Sequence, residues 1–281
     1  MTVLAADVGG TSIRAARIDE EGRILDRRSG PTPQDPREGV ALLRRFWEEL
    51  GWGAGRAMVI AGGISATTGE ITQSPNLRRW EGLRPGPELE CQVHNDANGA
   101  ALGEIWKGAL RGKRSALLVT LGTGVGGGLV LDGKLWTGRD GSAGEIGHTA
   151  VFPEGPECGC GARGCLEIYA SATAVARAAG AADAEAAAVA ARRGDARSVA
   201  AFAQAGRALG IAFANVANLL NVEAFCLGGG MAAALDLLLP SMCAELDARA
   251  FRLARKGLAI VPAALGNDAG LLGAAWAALQ V

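Results

Sequence analysis

Three short apolar runs in this chain stop in glycine-rich turns: residues 3–8 in Gly9-Gly10-Thr11, residues 116–121 in Gly122-Thr123-Gly124-Val125-Gly126-Gly127-Gly128, and residues 224–227 in Gly228-Gly229-Gly230. A strand ending this way offers backbone N–H groups with no Cβ in front of them, so an anion can be cradled there. One such loop is equally an ordinary turn. Three of them, two with a Gly-Thr pair whose hydroxyl adds a donor, favour a nucleotide phosphate. The flanking residues narrow the fold further. Gly122, Gly124 and Gly127 satisfy G-x-G-x-x-G, but that fingerprint has to open a helix. Here it leads into a strand at 129–131, a hairpin turn at Asp132-Gly133 and a return at Leu135-Trp136. A dehydrogenase fold is therefore excluded. The Gly-Lys pairs continue with Arg114 and Leu135 instead of Ser or Thr, so there is no Walker A loop, and protein-kinase signatures are absent. Phosphate held by hairpin turns is what remains.

The rest of the chain alternates strands and helices. Residues 12–17 and 23–28 flank the turn Asp19-Glu20-Glu21-Gly22 and continue the opening strand into an antiparallel meander. Helical spacing predicts a helix over 37–50, started by Asp35-Pro36, then a buried strand over 57–61, a short strand over 90–93 and a helix over 97–108. Beyond 116–121 and the hairpin, helices are expected over 166–179, 181–193, 198–220, 235–255 and 269–279, with strands at 224–227 and 258–261. The class is α/β with mixed sheets. No linker rich in Pro or Ser divides the chain; the best boundary is the short basic joint at 110–114.

Charge limits the partner. Lys+Arg 28 against Asp+Glu 29 gives a net charge of −1, so no basic field draws in nucleic acid or a membrane surface, and a small molecule is expected. Residues 1–7 lack a basic n-region and reach an acid too early for a signal peptide. The longest uncharged stretch, 115–131, has 17 residues with five glycines, a poor membrane span. The expected location is cytoplasmic.

Two clusters carry chemistry. Asn95-Asp96-Ala97-Asn98 lies between a short strand and a helix start. A carboxylate there is either a helix cap or a base presented to a substrate hydroxyl, and phosphoryl transfer to an alcohol needs such a base. Among six cysteines, Cys158, Cys160 and Cys165 crowd together ten residues after His148, one of only two histidines. Cys₃His is a closed tetrahedral zinc set, so the ion is expected to be structural. Glu145 and Glu167 lie just outside that loop. His94 has no comparable neighbours and reads as structural.

Taken together, Asp7-Val8-Gly9-Gly10-Thr11, Asn95-Asp96-Ala97-Asn98, residues 121–128, Glu145-Ile146-Gly147-His148 and residues 158–167 resemble the ROK family of bacterial sugar kinases and repressors. The motifs stand in family order and cover the chain from Asp7 to the final helix. The resemblance implies an actin/hexokinase-like (ribonuclease H-like) fold of two α/β domains around a central cleft. One domain is residues 1–112 plus 265–281, the other 113–264 with the zinc loop. It implies that Asp96 is the general base for a sugar 6-hydroxyl, with Asn76, Asn95, Glu145, His148 and Glu167 as sugar ligands. Gly9, Gly10, Thr11, Gly122, Thr123 and Gly124 match the phosphate loops, Asp7 the position near magnesium, and Gly229 the nucleotide side. His148 would place one ring nitrogen on zinc, with Cys158, Cys160 and Cys165, and turn the other to the sugar.

Two departures from the family pattern are visible. Thr67-Thr68 stands where Pro-Gly is usual, and the stretch 82–91 is short. Repressors carry a helix-turn-helix region before the Asp-x-Gly-Gly-Thr loop; here the loop begins at residue 7, so a kinase is expected. The Cys-Gly-Cys-Gly pattern is similar to glucokinases and N-acetylhexosamine kinases. The implied activity is ATP-dependent phosphorylation of glucose, with N-acetylglucosamine, N-acetylmannosamine and a polyphosphate donor left open, and a non-catalytic sugar sensor as the rival. Relatives are commonly dimers or tetramers, which implies a homo-oligomer.

Overall fold

The structure is a computed structural model that describes residues 1–280. The chain builds two compact units. The first comprises Met1–Gly112, Gly128–Ala143 and the stretch from Ala264 onward; the second comprises Lys113–Gly127 and Gly144–Ala263. The sequence reading assigns 128–143 to the second domain, whereas these residues group with the first unit, and the second joint falls at Ala263/Ala264. The cause is local packing: the Gly128 backbone lies against Ala97 O and the Ala101 methyl, and Ala66 N donates to Asp140 O at 3.0 Å.

In the first unit β1 (Thr2–Val8), β2 (Ser12–Asp19) and β3 (Ile24–Pro31) form the expected meander. Alternate residues of β1 serve two cores. Leu4, Ala6 and Val8 face one, shared with α1 (Pro36–Leu50), which buries Val40, Leu43, Phe46, Trp47 and Leu50 at helical spacing. Val3 and Ala5 face the other. Helix α1 starts where the sequence signals it: Asp35 accepts from Arg37 N at 2.9 Å, and Pro36 occupies the first turn. Strand β4 (Arg56–Ile60) then pairs parallel to β1. A hairpin of β5 (Gly63–Ile64) and β6 (Ile71–Gln73) and the short α2 (Pro85–Leu89) follow, none of them legible in the hydrophobic pattern. Strand β7 (Gln92–Asn95) pairs parallel to β4 and passes directly into α3 (Asp96–Lys107). The sheet order is β3-β2-β1-β4-β7.

The second sheet has the corresponding order, β10-β9-β8-β11-β12. Strand β8 (Ala116–Leu121) is followed by β9 (Val125–Leu131) and β10 (Lys134–Leu135), joined by Asp132 and Gly133 at φ of 52° and 75°, the two left-handed residues of a tight hairpin turn. After the cysteine loop come α4 (Glu167–Ala170), α5 (Ala172–Ala179), α6 (Ala184–Arg192) and α7 (Ala196–Leu220). Then follow β11 (Ala224–Gly228), α8 (Leu235–Arg249), α9 (Arg252–Arg255) and β12 (Ala259–Pro262). Strand β11 runs parallel to both β8 and β12. The chain ends in α10 (Ala269–Leu279), whose Leu271, Ala274, Ala275 and Ala278 complete the core of Val3 and Ala5 in the first unit.

Two long helices expected from sequence are each broken. Residues 166–179 divide at Ser171, which is extended (ψ 156°) and caps α5 through Ala174 N at 3.1 Å. Residues 235–255 divide at Ala250 (ψ 138°), where Asn218 Oδ1 takes the Phe251 N–H at 2.6 Å. In both places a hydroxyl or amide side chain captures a backbone group that the helix would have used. Helix α7, with 25 residues, is long and apolar enough to cross a membrane, but 61% of its apolar window is buried inside the protein. Phe202, Leu209 and Phe213 make it a core helix.

Candidate functional site

In open α/β sheets ligands gather beyond the carboxyl ends of parallel strands, and the candidate residues of the first unit occupy that edge of β1, β4 and β7. Asp7 is the penultimate residue of β1. Its carboxylate is largely buried, which pushes its pKa above the ordinary value, opposed by the charge and hydrogen bond of Arg14. Gly9, Gly10 and Thr11 turn the chain into β2, closed by Gly9 N donating to Ser12 O at 2.9 Å and by Thr32 Oγ1 donating to Gly9 O at 2.6 Å. Position 10 requires glycine, because a Cβ there would stand 2.8 Å from the Asn76 Cβ. Exposed Asn76 is thus laid against the turn, with Ser74 Oγ donating to Ala61 O beside it.

Asn95 and Asp96 divide the labour at the start of α3. The helix cap is Asn95, whose Oδ1 accepts from Asn98 N at 3.1 Å while its Nδ2 donates to Gly62 O at 3.0 Å. The alternative of Asp96 as a cap is thereby settled by its neighbour. Asp96 is the first helical residue, exposed, with Oδ1 accepting from Ala97 N at 2.9 Å. A carboxylate at that position faces the N-terminal end of the helix dipole and is open to solvent. Beside Asn95 lies a cavity of about 560 Å³ lined also by Ile64, Ser65, Pro87, His94 and Thr137. His94 is half-buried, and burial holds its imidazole below the ordinary value. Its Nε2 pairs with Gln92 Oε1 at 3.2 Å.

The second unit repeats the placement. Gly122, Thr123 and Gly124 follow β8, and Gly229 follows β11, its parallel neighbour. Gly122 N donates to Gly124 O at 3.0 Å, and Thr123 is exposed with its carbonyl accepting from Thr173 Oγ1 at 3.1 Å. Gly229 has φ +80°, and a Cβ on it would press on the backbone of Leu121 at 2.5 Å, so both conformation and space demand glycine. Glu167 is tied to the same turn, its Oε2 accepting from Val125 N at 3.0 Å. Glu145 is exposed just ahead of the turn that carries His148.

His148 Nδ1, Cys158 Sγ, Cys160 Sγ and Cys165 Sγ all lie within 4.8 Å of one another. Cys158 to His148 is 3.8 Å and Cys160 to Cys165 is 3.7 Å. A tetrahedral ion with sulfur ligands at about 2.3 Å has edges of about 3.8 Å, so the donor set fits one. The loop is closed by bridges of Ala150 to Cys165 and Glu157 to Arg163, and by Leu166 N donating to Thr149 O at 2.9 Å. Burial and the neighbouring thiols push Cys165 up to about 12; a bound cation is what would hold three crowded sulfurs as thiolates. Because Nδ1 faces the thiols, the other ring nitrogen of His148 is the one left for a ligand.

Sequence reasoning missed two residues. Arg14 stands directly opposite Asp7 in the β1–β2 register; the symmetry of the two positions about the Gly10-Thr11 turn is the signal that could have found it. Glu104, fully buried on α3, accepts from Ala109 N at 2.6 Å, Ala264 N at 3.1 Å and Leu265 N at 2.8 Å. No local signal marks it, since two of its three partners, Ala264 N and Leu265 N, lie about 160 residues along the chain.

The ROK family model matches residues 3–281. A glucokinase of Halalkalibacterium halodurans is 37% identical, over 99% of this chain and 94% of its own. An N-acetylmannosamine kinase of Shigella flexneri is 35% identical, over 98% of this chain and 97% of its own. Among solved structures, a ROK family glucokinase from Streptomyces griseus in complex with glucose and AMPPNP superposes with a TM-score of 0.84 at 32% identity, covering 100% of both chains.

Proposed function

The chain belongs to the ROK family, and we propose that it is an ATP-dependent hexose kinase that transfers the γ-phosphoryl group to the 6-hydroxyl of glucose. One observation carries the reading: Asp96 stands exposed at the first position of α3, with the backbone turn beneath it clamped by both polar ends of the Asn95 side chain. Such a carboxylate accepts the 6-hydroxyl proton as that oxygen bonds to the γ-phosphorus and the bond to the ADP oxygen breaks. Asn76 and Asn95 bind sugar hydroxyls in this reading, as do Glu145, His148 and Glu167 of the second unit. Gly9, Gly10 and Thr11, with Gly122, Thr123, Gly124 and Gly229, supply N–H and hydroxyl donors to the phosphates. Asp7 offers the hard oxygen that Mg²⁺ accepts when bound with nucleotide, where the ion supplies charge neutralisation. The Cys₃His cluster holds structural Zn²⁺ and sets the orientation of the His148 ring. The similarity to glucokinases over the whole chain supports glucose, and a cytoplasmic setting suits free thiols at a metal loop.

Similarity to an N-acetylmannosamine kinase, nearly as high, together with the cavity beside Asn95, favours N-acetylhexosamine as the second reading. A coupled assay of ADP formation across glucose, mannose, N-acetylglucosamine and N-acetylmannosamine, with ATP or polyphosphate as donor, separates these. The highest kcat/KM is expected for glucose with ATP. Sugar binding without turnover on any of them would falsify the kinase reading in favour of a sensor.

A further inference from the structure

Asp7 is not an open carboxylate. Arg14, its cross-strand partner, donates from Nη2 to Asp7 Oδ2 at 2.5 Å, and from Nη1 to the carbonyl of Asn267 at 2.7 Å. The same Oδ2 lies against the first turn of α10, where a Cβ on Gly270 would come within 2.7 Å of it. One oxygen of Asp7 is therefore consumed by a guanidinium and walled by a helix start. Asp7 Oδ1 has no hydrogen-bond partner among the described residues. The Asp7 side chain is 14% exposed and that of Arg14 32%, so the pair sits where screening by solvent is incomplete.

We propose that Arg14 is a positioning residue that holds Asp7 with a single oxygen presented, and that its charge keeps a bare divalent cation off that carboxylate until the cation arrives neutralised by nucleotide phosphates. The inference rests on the assignment of Asp7 to the cation side of a kinase site. A fixed positive charge one side chain away repels a divalent ion at least as strongly as it stabilises the carboxylate. A metal–nucleotide complex, carrying net negative charge, meets no such repulsion. Such a complex would bring phosphate oxygens as ligands of its own, and Asp7 would need to supply only one oxygen to the ion. The backbone carbonyl of Asn267 ties down the other end of the guanidinium, so it acts as a fixed neighbour.

The test uses the zinc-loaded full chain and free Mn²⁺ without nucleotide, followed by its paramagnetic resonance signal, so that no turnover is needed. Arg14→Met is expected to bind Mn²⁺ about tenfold more tightly than the parent, and the gain should vanish in Arg14→Met/Asp7→Asn. Arg14→Lys, which keeps the charge without the two-pronged grip, is expected to stay within about threefold of the parent. In the coupled assay Arg14→Met should lose kcat while the sugar KM changes by less than about twofold. Thermal melts of each variant establish that it is folded. Unchanged Mn²⁺ affinity in folded Arg14→Met, or a gain that survives the Asp7→Asn change, overturns the proposal. A parent that turns over no sugar overturns the kinase reading instead, and leaves the Mn²⁺ comparison readable.

Discussion

Asp96 and His94 sit two residues apart and show how neighbouring positions take opposite environments. His94 is on β7 and half-buried; Asp96 begins α3 and is exposed. Replacing Asp96 by Asn removes the proposed base and keeps the shape. A fall in kcat of about 10²–10⁴-fold is expected, with the sugar dissociation constant, measured by calorimetry, largely retained. Activity within twofold of the parent takes the role from Asp96. His94 carries a pH prediction. Its folded pKa is lowered from 6.5 by burial, so the unfolded chain binds the proton more tightly. The associated stability is complete above the unfolded value and is lost as pH falls through 6.5 toward the lowered folded value. Melting temperature should drop over that interval, and His94→Gln should flatten that part of the profile; an identical profile in the variant removes His94 as its source. At this scale the sequence was legible where chemistry is contiguous. Asn95-Asp96, Gly122-Thr123 and the three cysteines declare themselves, whereas Arg14 needs the strand register and Glu104 needs the fold.

Helix α3, which begins at Asp96, packs on the last helix of the chain. Gly103 and the carbonyl of Gly99 face α10, where a Cβ on Gly103 would overlap Ala269 O and one on Gly273 would overlap Gly99 O. The two helices therefore meet backbone to backbone, and small residues are a steric requirement there. Gly273→Ala is expected to cost about 1–3 kcal/mol by overpacking, read as a lower denaturation midpoint with an unchanged slope; a neutral result means the helices separate freely. The other end of α3 is held by Glu104, which accepts the three backbone N–H groups described above. Glu104→Leu would leave these donors buried without an acceptor, at about 1–3 kcal/mol for each one left unmet. Urea melts are the measurement, and stability equal to the parent would show that the donors find other partners. Elements with a strong period, such as α1 and the meander, were legible from sequence. The breaks at Ser171 and Ala250 were not, because Ala-rich segments continue a helical pattern through them and a single side-chain hydrogen bond decides the outcome.

For the whole molecule, the zinc proposed for His148, Cys158, Cys160 and Cys165 belongs to the scaffold of the second unit, where it would close the loop that precedes Glu167. Removing it with a strong chelator should lower the melting temperature before it lowers kcat measured at once on the still-folded protein, since binding free energy at such a site is folding free energy. Loss of kcat with an unchanged melting curve would move the ion from the scaffold to the chemistry. The sequence by itself determined the class of the fold, most of its strands and helices, the four members of the Cys₃His cluster and the glycine turns that follow the strands. All of these rest on periodicity or on residues adjacent in the chain. Only the tertiary structure decided that residues 128–143 join the first unit, that Asn76 lies on the Gly9-Gly10 turn, that Arg14 occupies Asp7, and that Glu104 holds the segment before α10. The physical reason is common to most of these. The partners are largely main-chain atoms, Ala97 O, Asp140 O, Asn267 O, Ala264 N and Leu265 N. Every residue carries such atoms, so which of them is met depends on where folding places the backbone.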